Sequence, residues 1–131
     1  MKITADTNVL VRAFTEDDPE QGKVAQAVLN KAEIVAVTLT TLCELVWVLR
    51  NYKIQPTDIA ATIRGLINGT NVVANRPAAE AGLAMLDAGG DFADGVIGYE
   101  GNWLGADTFL SFDKKAVRLM QAQGRSAQLL S

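Results

Sequence analysis

Glu33-Ile34-Val35-Ala36-Val37 and the residues that follow, Thr38-Leu39-Thr40-Thr41-Leu42-Cys43-Glu44-Leu45-Val46-Trp47-Val48-Leu49, decide the fold. The first five form a short, nearly unbroken apolar run, which reads as a buried strand. Thr40-Thr41 then opens a strongly apolar helix carrying Leu42, Leu45, Val46, Val48 and Leu49. A strand with no polar alternation is covered on both faces, which is the habit of parallel sheets. The same hand-over recurs outward in both directions. Towards the N-terminus, Lys2-Ile3-Thr4-Ala5 is a strand, and Asp17-Asp18-Pro19-Glu20 starts a helix in which Val24, Ala27, Val28 and Ala32 recur at helical spacing. Towards the C-terminus, Pro56-Thr57-Asp58 starts a helix with Ile59, Ile63, Leu66 and Ile67 on one stripe, ended by Gly69. Asn71–Ala74 is a short strand and Pro77–Ala88 an alanine-rich helix stopped by Gly89-Gly90. Phe92–Trp103 is helical in pattern despite Gly95, Gly98 and Gly101, and its small residues predict close helix packing. Thr108–Phe112 is a strand, a helix runs from Asp113 through Gln123, and Gln128–Leu130 is a last edge strand. This alternation predicts an α/β fold, a short and mostly parallel central sheet flanked by helices on both faces, in one domain spanning residues 1–131.

Composition narrows the chemistry. Of 131 residues 49% are hydrophobic, enough for a core without disulfides or a structural zinc. The lone Cys43 cannot form an internal disulfide and reads as a core residue. No leader-like segment and no membrane-length apolar run is visible, so the expected location is the cytoplasm. There is no histidine. That removes Ser-His-Asp and Cys-His nucleophiles, histidine acid–base pairs and histidine-containing zinc sites. What remains is carboxylates, which with water favour hard cations such as Mg²⁺ or Mn²⁺. A net charge of −3 argues against tight nonspecific binding of nucleic acid but leaves room for a metal-held phosphate.

The acids fall where strands hand over to helices. Asp6 ends the first strand and Asp113 the strand Thr108–Phe112; Glu44 and Asp94 read as first-turn residues of their helices. Ligands in open parallel sheets bind beyond the carboxyl ends of the strands. Each acid also has an ordinary use. Asp6 and Asp113 suit N-caps, Thr41-Leu42-Cys43-Glu44 matches a capping box, and Asp91 suits a cap with Asp94 complementing the helix dipole. Taken together, acids gathered at one edge repel unless protonated or bridged by a cation, and Glu44 sits among apolar neighbours in sequence. Trp47 and Trp103 read as core residues before base-stacking platforms. Lys114, Lys115 and Arg118 suit either a solvated helix face or a phosphate-steering patch.

Four segments occur in a recognisable order: Ala5-Asp6-Thr7-Asn8-Val9-Leu10, Glu44-Leu45, Asp91-Phe92-Ala93-Asp94-Gly95-Val96-Ile97 and Leu110-Ser111-Phe112-Asp113-Lys114-Lys115. In this the chain resembles the PIN-domain ribonucleases, and within them the VapC-type toxins of toxin–antitoxin pairs. The resemblance implies a Mg²⁺-dependent endoribonuclease, with Mn²⁺ as a substitute ion. Asp6 and Asp94 are its metal ligands, and Glu44 and Asp113 complete the pocket through water or a second ion. Thr7, Asn8 and Ser111 become supporting groups. It also implies a homodimer and a small antitoxin partner, and the apolar helices Leu42–Leu49 and Ile59–Ile67 agree with a dimer. Gly95 stands where the family pattern has Ala and Ser111 where it has Thr, and Asp91 rivals Asp94 as the third acid. Two other readings compete. A phosphoacceptor receiver domain would need adjacent acids after the first strand and a Lys-Pro late in the chain, but Thr7 follows Asp6 and Lys115 follows Lys114. A catalytically silent PIN-fold binding module would not need acids at all four positions.

Overall fold

Three strands, β1 (Lys2–Thr4), β2 (Ile34–Ala36) and β3 (Val72–Val73), form one parallel sheet in the order β1-β2-β3. Lys2 pairs with Ile34, Thr4 with Ala36 and Ala36 with Val73. The computed structural model describes residues 1–131 and divides into two compact units, Met1–Asn75 and Arg76–Ser131.

The first unit holds the three-stranded sheet and helices α1 (Thr7–Phe14), α2 (Pro19–Lys31), α3 (Leu39–Asn51) and α4 (Pro56–Ile67). Val35 and Val37, on one face of the central strand, are buried, and Ile34 and Ala36 on the other face are half-buried. The helices begin where backbone chemistry favours it. Asp18 caps α2, its Oδ1 accepting from the Gln21 N–H, with Pro19 in the first turn. Leu42, Leu45, Val46 and Leu49 of α3 and Ile59, Ile63, Leu66 and Ile67 of α4 all turn inward. These stripes are therefore buried within the chain, and the apolar character of α3 and α4 gives no motive for a dimer. Trp47 lies on the opposite side of α3 and is 67% exposed, so it is not a core residue. Cys43 is half-buried.

The second unit contains α5 (Arg76–Asp87), α6 (Phe92–Trp103), β4 (Phe109–Ser111), α7 (Lys114–Ala122) and β5 (Ala127–Leu129). Here β4 and β5 make a separate parallel ladder, with Phe109 opposite Ala127 and Ser111 opposite Leu129. Helix α5 ends as Gly89-Gly90 predicts. Gly89 has φ +92, its N–H donates to the Leu86 carbonyl, and the Gly90 N–H reaches back to Met85. Helices α5 and α6 then pack with almost no side chain between them. A Cβ on Gly82 would lie 2.7 Å from the Phe92 ring, and one on Gly95 would meet the Ala81 carbonyl and stand 2.8 Å from the Gly82 Cα. The buried Phe92 fills the groove that Gly82 leaves. Trp103, expected in the core, is 77% exposed at the end of α6.

Candidate active site

In the first unit Asp6 and Glu44 are tied to one residue. Asp6 caps α1, its Oδ1 accepting from the Thr7 N–H at 2.7 Å, and the Thr7 hydroxyl donates to Glu44 Oε1 at 3.2 Å. Thr7 therefore donates to two carboxylates, one from its backbone and one from its side chain. The capping-box reading of Glu44 does not hold. The cap of α3 is Thr38, whose hydroxyl accepts from the Thr41 N–H at 3.2 Å, so the helix starts earlier than Thr40-Thr41 and Glu44 lies in its second turn. The same turn of the helix corrects its setting. Leu42, Leu45 and Val46 are buried while Glu44 is exposed, so its apolar neighbours in sequence point away from it.

In the second unit Asp91, Asp94 and Asp113 are electrostatic neighbours. Asp91 caps α6, its Oδ1 accepting from the Ala93 N–H at 3.1 Å. Asp113 caps α7, with Oδ1 accepting from the Lys115 and Ala116 N–H groups at 2.9 and 3.2 Å. Its own N–H donates to the Ser111 hydroxyl, which gives Ser111 a role in fixing the turn. Asp94 differs from both. It lies in the first turn of α6, half-buried, caps nothing and accepts no hydrogen bond. Burial pushes its carboxyl pKa up from the ordinary value, and the charges of Asp91 and then Asp113 push it further. Of the two rival acids, Asp91 thus has a structural task and Asp94 has none. Lys114, Lys115 and Arg118 are all exposed on α7.

Asp6, Glu44, Asp91, Asp94 and Asp113 offer only oxygen donors, the chemistry of a hard divalent cation. No group of three or more His, Cys, Asp or Glu side chains stands close enough together to grip one ion. The grouping seen is a Thr7-linked pair in one unit and a mutually repelling set in the other.

The sequence matches the PIN domain family over residues 3–119, and the chain belongs to that family. PIN domains are in general metal-dependent nucleases that act on RNA. No curated protein matches the chain. No helix is long and apolar enough to cross a membrane.

Proposed function

We propose that this protein is a Mg²⁺-dependent endoribonuclease, the toxin of a toxin–antitoxin pair, with residues 1–131 acting as one nuclease domain. The observation that carries the proposal is Asp94: a half-buried carboxylate with no hydrogen-bond partner, beside two further acids, in a chain of a nuclease family. An acid kept in such a place without a structural task is poised for a cation. The proposed ligands are Asp6 and Asp94, with Glu44 and Asp113 completing the set. A divalent ion held there would supply positive charge against the scissile phosphate and acidify the attacking water. The chain's own groups would do the rest. Thr7 steadies Glu44 through its hydroxyl, and Ser111 fixes the turn that presents Asp113.

The family match runs through both units, which supports the single-domain reading. Dimerisation and an antitoxin partner rest on the family resemblance. The first unit also carries an open, largely apolar groove of about 500 Å³, lined by Val9, Val24, Val28 and Arg12, that suits the apolar face of a small partner helix.

Metal removal is the first test. Cleavage of a single-stranded RNA by the purified chain should require added Mg²⁺ or Mn²⁺ and stop in excess EDTA. Asp6→Asn should also stop it without lowering the melting temperature, because Asn caps a helix about as well as Asp. Cleavage that persists in EDTA would overturn the proposal.

A further inference from the structure

A polar pocket of about 260 Å³ lies at the end of α6 away from Asp94, lined by Gly98, Asn102, Asp107, Phe109, Arg125 and Ser126. Asp94, Gly98 and Asn102 follow one another at four-residue spacing, so they share one stripe of the helix. Asp94 and Asn102 are about 12 Å apart along the axis at ~1.5 Å per residue.

Arg125 is held in place by its backbone. Its N–H donates to the Met120 carbonyl at 3.0 Å, closing the α7 terminus after Gly124, whose φ is +78. Its half-buried guanidinium lies over Gly98, where a Cβ would come 3.2 Å from Nη2. A glycine in mid-helix costs about 1 kcal/mol relative to alanine, and here it makes room for the Met120 methyl group, 3.0 Å from where a Cβ would lie, and for that cation. The guanidinium forms no ion pair and no hydrogen bond, although Asp107 lines the same space. Asp107 is itself oriented, since its Oδ1 accepts from the Thr108 hydroxyl at 2.8 Å, which in turn contacts the Ser126 hydroxyl at 3.1 Å. The pocket thus presents unpaired donors and an oriented acceptor that do not satisfy each other, with the half-buried Phe109 supplying an apolar wall.

A simple anion would meet repulsion from Asp107, and a cation would meet Arg125. A guanine base satisfies both. Its O6 and N7 accept from a guanidinium, its N1–H and exocyclic amine donate to a carboxylate, and its ring packs on an aromatic. The volume is below the range of about 300–1,000 Å³ that drug-sized ligands occupy, which suits a single base. We propose that this pocket binds an unpaired guanine of the RNA strand, with Arg125 and Asp107 reading it. The proposal rests on the reading of the protein as a ribonuclease for its choice of RNA.

Calorimetric titration of the whole chain in EDTA, with GMP, AMP, CMP, UMP and inorganic phosphate, tests it without any cleavage. GMP should bind at least about tenfold more tightly than AMP, as one bidentate contact implies. Arg125→Lys, which keeps the charge but loses the planar fork, and Asp107→Asn should each weaken GMP about tenfold or more. Both variants should keep the wild-type circular dichroism spectrum. Equal binding of GMP and AMP, or GMP affinity unmoved by both substitutions, would overturn the assignment. So would phosphate displacing GMP at equal concentration, which would mark an anion site. GMP selectivity in a chain that cuts no RNA in Mg²⁺ would sink the nuclease reading and leave the pocket standing; cleavage without GMP selectivity would do the reverse.

Discussion

Asp94→Asn should reduce Mg²⁺-dependent RNA cleavage about a hundredfold or more while raising the melting temperature of the metal-free protein at neutral pH. The first effect follows if a metal ligand is lost, since a catalytic ion contributes several kcal/mol to the transition state and each ~1.36 kcal/mol is a factor of ten. The second follows from the environment of the carboxylate. Burial, then Asp91 and Asp113, raises its folded-state pKa. The native state therefore binds the Asp94 proton more tightly than the unfolded chain does. The contribution of this group to stability is fully present below its ordinary pKa of 3.8 and is lost as pH rises through the raised folded value. At pH 7 the wild type carries an unfavourable, half-buried charge that the neutral amide lacks. The melting advantage of the variant should accordingly shrink to nothing as the pH falls below 3.8. Mg²⁺ should raise the melting temperature of the wild type, because only the native state binds it, and should do less for the variant. An Asp94→Asn protein that cuts RNA at the wild-type rate, or melts below wild type at pH 7, would exclude this role. Activity lost in Asp91→Asn instead would transfer it to Asp91.

The second large effect concerns Gly95. Alanine is the better helix former, and the family pattern has alanine at this position, so Gly95→Ala looks conservative from the sequence. In this fold it should destabilise. The added methyl would press on the Ala81 carbonyl and the Gly82 backbone, and neither can turn aside as a flexible side chain would. Overpacking of this kind costs about 1–3 kcal/mol, or about 4–12 °C in melting temperature at roughly 4 °C per kcal/mol for a chain of this size. The measurement is a thermal melt of the variant beside Gly101→Ala, where a Cβ would meet nothing within 4 Å and the change should be neutral or stabilising. Equal melting of the two variants would show that α5 and α6 do not pack as described.

The elements were legible because local chemistry marks them. Asp18-Pro19, Pro56 and Gly89-Gly90 bound their helices where the structure has them, and the run Ile34–Ala36 is the central strand of its sheet. The small residues of Phe92–Trp103 announced a tight helix contact, although not its partner, the Ala81–Gly82 face of α5. What failed was inference about direction. Glu44 was placed among apolar residues by sequence adjacency, yet a helix sends adjacent residues to different sides, and the carboxylate is exposed. Trp47 and Trp103 read as core residues in the sequence, but they fall off the buried stripes of α3 and α6. The cap of α3 lies three residues before Thr41, the cap the sequence suggests, because Thr38, Thr40 and Thr41 are chemically equivalent candidates. The pocket around Arg125 left no trace in the sequence, since it depends on residues brought together by the end of α7, the start of β4 and the last turns of α6.

The glycines of α6 also bear on when Asp94 is presented at all. Gly95, Gly98 and Gly101 interrupt a helix of 12 residues. Each lowers intrinsic helicity by about 1 kcal/mol relative to alanine, and peptides shorter than about 12–15 residues are marginal helices in water even without that handicap. Alone, this segment would be coil. Its order is lent to it by the α5 surface, so detachment of the helix and loss of its backbone hydrogen bonds are one event. In amide exchange, Val96 and Ile97 should therefore open together and sooner than Leu45 or Leu49 in α3, and independent fraying of their amides would count against this coupling. Whatever governs that opening governs the acid as well: Asp94 keeps its place and its raised affinity for a proton only while the helix is docked.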